Sequence, residues 1–292
     1  MSSKFYYGSH MTVSKGIPWA INQIEKEGAN FIQVFISNPR SGRFIPKNEQ
    51  DIQKLKETLL NKDVKFVIHS PYVLNFSKIF NESNWWYQTL IQELEFADQF
   101  DECIGSVLHF GKALKFSLDD AYDNFIKSVQ YVVDNTTNKS KILIETSSGQ
   151  GTEICHKIED FAILWNMFPD EYKERLGICI DTCHIFAAGH NISNPEGVKE
   201  YFDKFDKLIG KKYISLIHFN DSKKDVGTRV DRHENIGLGY IGLEALKSVV
   251  EYSNTNKIPL VLETPGDGHK EELILIKSWI YKKINSNLCF DL

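Results

Sequence analysis

Six short apolar segments of this sequence end directly in a side chain that can bind a metal ion. In chain order these side chains are His69, His109, Glu145, Asp181, His218 and Glu263. Imidazole and carboxylate groups bind transition-metal ions, and bound ions can activate water for hydrolysis. One histidine or glutamate at the end of a strand is usually only a hydrogen-bonded polar group. Six such positions in one chain favour a shared metal site.

Three further candidate ligands follow in predicted loops. His184 comes three residues after Asp181, and the i, i+2 spacing of Asp231 and His233 places both on one face of an extended segment. The set is rich in imidazole and has no thiolate, so it suits zinc better than magnesium or calcium, with manganese as the alternative at one site. Three tetrahedral ions offer about 12 positions, of which nine residues with one bridging carboxylate fill about 10.

These side chains would meet if the apolar segments are the strands of a closed parallel barrel. Eight strand candidates alternate with eight amphipathic helix candidates along the chain. The predicted strands are Phe5–Gly8, Phe31–Ser37, Lys65–Ser70, Ser106–Phe110, Lys141–Thr146, Gly177–Asp181, Tyr213–Asn220 and Pro259–Thr264. The predicted helices lie near 17–28, 50–61, 84–102, 117–134, 157–167, 195–209, 241–253 and 270–285. This alternation predicts one (β/α)8 TIM-barrel domain over residues 1–292, whose carboxyl strand ends share one mouth.

Composition places the chain among ordinary globular proteins. It has 292 residues, of which 42% are hydrophobic and 25% charged, which excludes a disordered chain. Its apolar runs are far shorter than the roughly 20 residues of a membrane helix, and its first residues do not resemble a secretory signal. Five scattered cysteines suit a reducing compartment. We therefore expect an intracellular protein of the cytoplasm or nucleus, with a virus-associated site as the alternative, and no membrane partner.

The two alternatives to this organisation have less support in the sequence. An open doubly wound sheet is the other fold for alternating strands and helices, but the chain lacks the glycine-rich loops that bind a nucleotide cofactor. A zinc–thiolate site could use Cys179 and Cys183, which flank the candidate ligands, but neither belongs to a Cys-x-x-Cys motif.

Four segments carry a resemblance to a known family. They are HSPYVLN (69–75), GICIDTCH (177–184), FNDSKKDVGTRVDRHENIGLG (219–239) and LVLETPG (260–266). They closely resemble the endonuclease IV family of apurinic/apyrimidinic (AP) endonucleases, and the resemblance extends from GSHMT (8–12) to the end of the chain. It implies a xylose-isomerase-like TIM barrel with three metal ions, usually zinc.

The resemblance also implies how the ligands are shared. The first ion is expected to bind His69 and His109, and Glu145 to bridge the first and second ions. The expected remaining ligands are Asp181, His218 and Glu263 for the second ion, and His184, Asp231 and His233 for the third.

The implied activity is hydrolysis of the phosphodiester 5′ to an abasic site in duplex DNA, as in base excision repair. The products would be a 3′-hydroxyl and a 5′-deoxyribose phosphate, and blocked 3′ ends would be trimmed as well. Two close metal ions lower the pKa of a bridging water and hold the attacking oxygen in line. The catalytic candidates are Glu145, as the bridge, and Glu263, which would orient or deprotonate the water. We expect a monomer.

DNA binding must overcome a formal net charge of −5. Three divalent ions would reverse the sign at the mouth, where DNA would bind. Basic residues in the predicted mouth loops would contact phosphates. They are Arg40, Arg43, Lys47, Lys223, Lys224, Arg229 and Arg232. By resemblance, Tyr72 and Val73 match positions that enter the DNA, and Arg40 matches an inserted arginine.

Two other functions fit parts of the pattern. Sugar isomerases and epimerases of xylose-isomerase-like barrels also place metals at the mouth, so fold alone does not separate them. They bind one or two ions, mostly through carboxylates, and would not need His184, Asp231 and His233. A DNA-damage-binding protein without enzymatic activity is expected to have lost some of the ligands.

Overall fold

Eight parallel strands form a closed barrel in the computed structural model, which describes residues 4–136, 139–266 and 269–287. The barrel strands are β1 Tyr7–His10, β2 Phe31–Val34, β3 Lys65–His69, β4 Cys103–His109, β5 Lys141–Glu145, β6 Leu176–Asp181, β7 Ile214–His218 and β10 Leu260–Leu262. Two short strands, β8 Asp221–Ser222 and β9 His233–Glu234, pair as an antiparallel hairpin outside the barrel. The predicted TIM barrel is confirmed.

Helices surround the barrel between successive strands. They are α1 Ile17–Lys26, α2 Glu49–Leu59, α3 Trp85–Ala97, α4 Leu118–Asp134, α5 Ile158–Met167, α6 Asp170–Lys173, α7 Thr182–Ala187, α8 Pro195–Leu208, α9 Leu243–Asn256 and α10 His269–Asn287, with a 3₁₀ turn at Lys211–Tyr213. Asn48, Ser117 and Asn194 cap helices α2, α4 and α8 by accepting a backbone N–H, which satisfies donors that a helix start leaves free. No helix in the described ranges has both the length and the apolar character of a membrane span.

An apolar layer fills the barrel interior and forms the floor of its mouth. Seven strands each contribute one buried side chain to this layer: Phe31, Val67, Val107, Leu143, Cys179, Leu216 and Val261. The remaining strand, β1, passes close to β2 at Gly8, where a Cβ would lie 1.6 Å from the carbonyl oxygen of Phe31. Side chains alternate along a strand, so the residue two positions after each floor residue also points into the barrel, one layer nearer the mouth.

Several predicted boundaries were wrong by a few residues. The first strand lies at Tyr7–His10 instead of Phe5–Gly8 because its partners are Phe31–Gln33 on β2. The second ends at Val34, not at Ser37, and β4 starts three residues before the predicted Ser106. Helix α3 ends at Ala97 instead of near 102. The short helices α6 and α7 and the β8–β9 hairpin were not predicted.

Candidate metal centre

Every strand of the barrel supplies one polar side chain to the mouth. These side chains are His10, Gln33, His69, His109, Glu145, Asp181, His218 and Glu263. Seven of them lie two residues after a floor residue, and His10 lies two residues after Gly8. Five of them, together with loop residues, line a cavity of about 400 Å³: His10, His69, His109, Glu145 and Glu263. The six side chains predicted at strand ends are therefore in one place.

Glu145 lies at the centre of the cluster. Its Oε2 lies 2.8 Å from Nε2 of His109 and 3.4 Å from Nε2 of His69. Its Oε1 lies 2.9 Å from Nδ1 of His218 and 3.3 Å from Nδ1 of His184. One fully buried carboxylate thus contacts four imidazoles, an arrangement suited to bridging two cations.

Two of the predicted ligand groups occur as compact clusters. Ligand atoms of His69, His109 and Glu145 all lie within 4.8 Å of one another, and so do those of Glu145, Asp181, His218 and Glu263. Nδ1 of His218 lies 3.1 Å from Glu263 Oε2 and 3.8 Å from Asp181 Oδ2. Glu145 belongs to both clusters, as the bridging assignment requires.

The third predicted group is also assembled, with Asp181 beside it. Asp231 lies 3.3 Å from Nε2 of His184 and 3.2 Å from Nε2 of His233, and His233 is 3.6 Å from Asp181. The prediction of His184 in a loop was wrong, because it lies in α7. Asp181 Oδ1 accepts the His184 N–H at 2.7 Å, and this cap starts α7 immediately after β6.

The donor set fits transition-metal ions. Two buried atoms that face the cluster, Glu145 Oε2 and His233 Nε2, have candidate ligand atoms within 3.4 Å but form no well-aligned hydrogen bond. A buried polar atom without a partner is costly, and a cation would satisfy the carboxylate oxygen and, once His233 has released its proton, the ring nitrogen. Imidazole nitrogens and carboxylate oxygens are the donors of catalytic zinc sites.

Opposite charges shift the pKa values in the cluster. Burial opposes ionisation of Glu145, but His109 and His218 outweigh it and hold the pKa of Glu145 well below its usual range. Burial likewise disfavours charged His184, but Asp181 and Asp231 raise its pKa well above the ordinary value. In the metal-free protein, Glu145 is therefore ionised and the ring of His184 binds a second proton.

Comparison with known proteins identifies the family. Residues 21–281 match the model of a family described as a xylose isomerase-like TIM barrel. The chain is 33% identical to the putative endonuclease 4 of Acanthamoeba polyphaga mimivirus, across 94% of this chain and 93% of that protein. It is 34% identical to the probable endonuclease 4 of Petrotoga mobilis, across 95% and 98%. The chain belongs to the endonuclease IV family.

Solved structures agree on the fold. Endonuclease IV from Thermus thermophilus matches with a TM-score of 0.79 and 24% identity, covering 95% of this chain and 99% of that one. A D-tagatose 3-epimerase-like protein matches with a TM-score of 0.72 at 16% identity, covering 97% and 99%. The barrel is thus common to the endonuclease IV family and to epimerase-like proteins, and the side chains at the mouth must distinguish them.

Gln33 is a site residue that sequence reasoning missed. Its Nε2 donates to Glu263 Oε1 at 2.6 Å and lies 3.1 Å from Nδ1 of His10. Its Oε1 must therefore accept, and it lies 2.8 Å from Nε2 of His218. This network puts the proton of neutral His218 on Nε2 and leaves Nδ1 free toward the carboxylates. The available signal was its position two residues after Phe31, on the same face of β2.

Backbone carbonyls orient three other imidazoles of this endonuclease IV family member. Nδ1 of His69 lies 2.7 Å from the Ser70 oxygen, Nδ1 of His184 lies 2.8 Å from the Thr146 oxygen, and Nδ1 of His233 lies 3.1 Å from the Glu263 oxygen. In each ring a proton on Nδ1 leaves Nε2 available to a metal ion.

Two predicted DNA contacts lie on the rim of the mouth. The side chain of Tyr72 is 60% exposed and that of Val73 is 41% exposed, although both are large and apolar. The Tyr72 ring lies edge-on to His69 at 5.5 Å and to His109 at 6.0 Å between ring centroids. An aromatic side chain therefore projects into solvent directly beside the candidate metal ligands.

Most of the predicted basic contacts are exposed on loops that follow barrel strands, and Lys47 is half-buried. Arg40 lies in the loop after β2, and Lys223, Arg229 and Arg232 lie in the loop after β7. The Arg229 N–H donates to the carbonyl of Ala187 at the end of α7, which ties this loop to the helix that carries His184. Lys223 has an acidic neighbour, Glu234, at 3.6 Å.

Of the two cysteines in the zinc–thiolate alternative, only Cys183 lies near candidate ligands. Cys179 belongs to the apolar floor, below the ligands. Cys183 has its sulfur within 4.8 Å of ligand atoms of Asp231 and His233. However, burial raises the pKa of the Cys183 thiol to about 12, and the thiol donates to the carbonyl of Arg232 at 3.6 Å. In this structure the thiol hydrogen of Cys183 is therefore directed at a backbone oxygen, whereas zinc binds cysteine as the thiolate.

Proposed function

We propose that this chain is a metal-dependent AP endonuclease that hydrolyses the phosphodiester on the 5′ side of an abasic site in duplex DNA. The observation that supports this most strongly is the complete cluster of nine imidazole and carboxylate side chains around one mouth. Membership of the endonuclease IV family agrees with it. The products would be a 3′-hydroxyl and a 5′-deoxyribose phosphate, which suits intracellular base excision repair, and blocked 3′ ends would be a second substrate.

Three zinc ions would be held by this cluster, with manganese as the alternative at one site. His69, His109 and Glu145 would hold one ion, and His184, Asp231 and His233 another. The ion between them would bind Glu145, Asp181, His218 and Glu263. When bound, the ions would activate water and neutralise the charge that develops on the phosphoryl oxygens.

Glu263 is the group best suited to orient the attacking water and to accept its proton. Burial opposes its ionisation, but His218 outweighs burial and lowers the pKa of Glu263 to about 2 in the metal-free protein, so its oxygens are ionised and can accept a hydrogen bond from water. Gln33 holds Oε1 by a hydrogen bond, and Oε2 lies 3.1 Å from Nδ1 of His218, where both atoms could bind one ion. Glu145 is the second catalytic carboxylate, because it alone contacts four of the imidazoles among the described residues.

The rim residues would bind the DNA. Arg40, Lys223, Arg229 and Arg232 would contact phosphates without reading sequence. Tyr72 and Val73 would enter the stack, where their apolar surface offsets the cost of extruding the abasic sugar. The protein would act as a monomer without a nucleotide cofactor.

Incision of a 30-mer duplex with one tetrahydrofuran abasic analogue tests this proposal. Tetrahydrofuran cannot undergo β-elimination, so a cut requires hydrolysis. We expect cleavage 5′ to the analogue, a 3′-hydroxyl end and two to three zinc-class ions per chain. The Glu263→Gln variant should lose about 10³-fold in rate, because an amide cannot accept the proton. An intact duplex with fully metallated protein would reject the proposal and favour a sugar isomerase or epimerase, which a ketose assay would detect.

Replacing Tyr72 with alanine is expected to raise KM for the abasic duplex about 10-fold to 100-fold, because stacking on one base contributes about 1–3 kcal/mol. The metal content should not change, since Tyr72 is not a candidate ligand and only its ring packs against His69 and His109. Steady-state incision kinetics measure the effect. Tyr172→Ala is the matched control, because Tyr172 lies on α6, before β6 and at the other end of the barrel. Equal KM values for both variants would exclude Tyr72 from DNA binding.

A further inference from the structure

Glu93 is a buried carboxylate that the proposed chemistry does not use. It lies on α3, outside the barrel wall, with 0% of its surface exposed. Among the described residues no lysine, arginine or histidine forms an ion pair with it. Burying a carboxylate without a cation is costly. A specific arrangement of donors must therefore compensate.

Three serine hydroxyls supply that arrangement. Oε1 of Glu93 accepts from Ser37 at 2.6 Å, and Oε2 accepts from Ser70 at 2.8 Å and from Ser106 at 3.0 Å. Ser70 and Ser106 also contact each other at 2.9 Å. All three serines are buried. Burial raises the pKa of Glu93 to about 7, and the three hydroxyl donors limit the increase.

Each serine lies beside an element of the proposed site. Ser37 precedes the loop that carries Arg40 and pairs with Phe44 at the far side of that loop. Ser70 follows His69, accepts from its ring through the backbone carbonyl, and leads to Tyr72. Ser106 lies on β4, three residues before His109.

Helix α3 holds the loop after β2 at two more points. Thr89 Oγ1 donates to the carbonyl of Gly42 at 3.0 Å. The Trp85 ring covers Gly42 so closely that a Cβ on this glycine would lie 2.1 Å from it. One face of α3 therefore contacts the Arg40 loop at two places. Glu93 binds the start of the loop, and Thr89 and Trp85 contact its far side.

We propose that Glu93 is a positioning residue that joins the roots of the two DNA-facing loops, after β2 and β3, to the strands that carry the histidine ligands. It would hold Arg40 and Tyr72 in register with the metal centre, without contact to substrate or ions. This inference rests on the proposed function, since Arg40 and Tyr72 are DNA-binding residues only if the protein acts on DNA.

The three hydroxyls donate to the carboxylate form of Glu93, which a pKa of about 7 makes the main form above pH 7. Three hydroxyls donate toward two oxygens, so both oxygens must act as acceptors. Glutamine has the same shape, but its NH₂ group would point at a serine hydroxyl that donates to a Glu93 oxygen in the wild-type protein. At least one of the three serines would have to turn away, and the loop next to it would loosen.

The Glu93→Gln variant tests the inference. We expect KM for the tetrahydrofuran duplex to rise about 10-fold, because hydrogen bonds to a charged group are lost, while kcat changes less than about threefold and the metal content is retained. Without DNA, trypsin should cleave after Arg40 and Arg43 several-fold faster, as mass spectrometry would show. Ser128→Ala is the control, since Ser128 is equally buried and bonds Tyr87 and the Phe76 carbonyl instead.

A milder variant keeps the test decisive if Glu93→Gln folds poorly. Ser37→Ala removes only the tie to the Arg40 loop, and its effect on KM should disappear in an Arg40→Ala background because both act through one contact. Unchanged KM and unchanged cleavage at Arg40 in both variants would overturn the inference. Faster cleavage in a protein whose wild type does not cut abasic DNA would support the tie and reject the proposed function.

Discussion

The Glu145→Gln variant is expected to lose more than about 10⁴-fold in incision of the abasic duplex, which is the size of effect seen when a catalytic unit is broken. In the wild-type protein, the carboxylate of Glu145 contacts four imidazoles at 2.8–3.4 Å, those of His69, His109, His184 and His218. An amide has one acceptor oxygen, so it cannot bridge two cations, and its NH₂ group would face ring nitrogens. Metal analysis of the purified variant should show the loss of at least one ion per chain.

Glu153→Gln is the matched control for this substitution. Glu153 lies in the loop after β5, eight residues beyond Glu145, and its carboxylate accepts from Ser148 at 3.0 Å and from the Gln150 N–H at 2.9 Å. Glu153 forms no ion pair or hydrogen bond with a histidine among the described residues, so its variant should keep the metals and most of the activity. A Glu145→Gln protein that retains three ions and cuts within tenfold of wild type would contradict the assignment of Glu145.

The sequence was sufficient for the barrel and for the six candidate ligands that lie at strand ends around its mouth. An apolar strand that ends in His, Asp or Glu is visible as a local pattern, and a closed parallel barrel brings such ends together regardless of their separation in sequence. The convergence of His69, Glu145 and Glu263 therefore needed no knowledge of loop geometry. Small errors in strand bounds did not matter, since the ligands lie at the carboxyl ends.

Residues that act through other residues were not predictable in the same way. Gln33 lies in a strand predicted to run on to Ser37, and only the register of β2 against β1 and β3 identifies it as the neighbour of His218. Glu93 lies between Gln92 and Glu95 on an amphipathic helix, where a glutamate is usually solvated. Its burial depends on the packing of α3 against β4 and against the segments that follow β2 and β3, which no local pattern encodes.

The Asp181 region shows why His184 was placed in the wrong element. The segment after β6 reads as a loop because α7 has only six residues. Its start depends on the Asp181 carboxylate, which caps the helix with Oδ1 and accepts from Asn220 with Oδ2 at 2.7 Å. The same side chain thus sets the direction of the helix and the position of His184, and contributes to the cluster itself.

Removal of the metal ions with a strong chelator is expected to abolish incision and to lower the unfolding temperature, because ions that bind only the folded state stabilise it. Zinc should restore activity and magnesium should not, since five of the nine donor side chains are imidazoles. Incision and thermal unfolding of chelated and reloaded protein measure both effects. Glu145→Gln, treated in parallel, should show a smaller change in unfolding temperature, since it has fewer ions to lose.

Zinc uptake should also depend on pH with a defined sign. In the metal-free protein, burial disfavours the charged ring of His184, but Asp181 and Asp231 outweigh it and raise its pKa well above the usual value. His233 follows the same pattern, with its pKa raised to about 9. Zinc must displace these protons, so its apparent affinity should increase from pH 6 to pH 8, and uptake at pH 7 should acidify a weak buffer. Zinc binding without proton release would contradict a centre whose imidazoles are protonated until the metal binds. Full reactivation by magnesium would contradict an imidazole-rich centre.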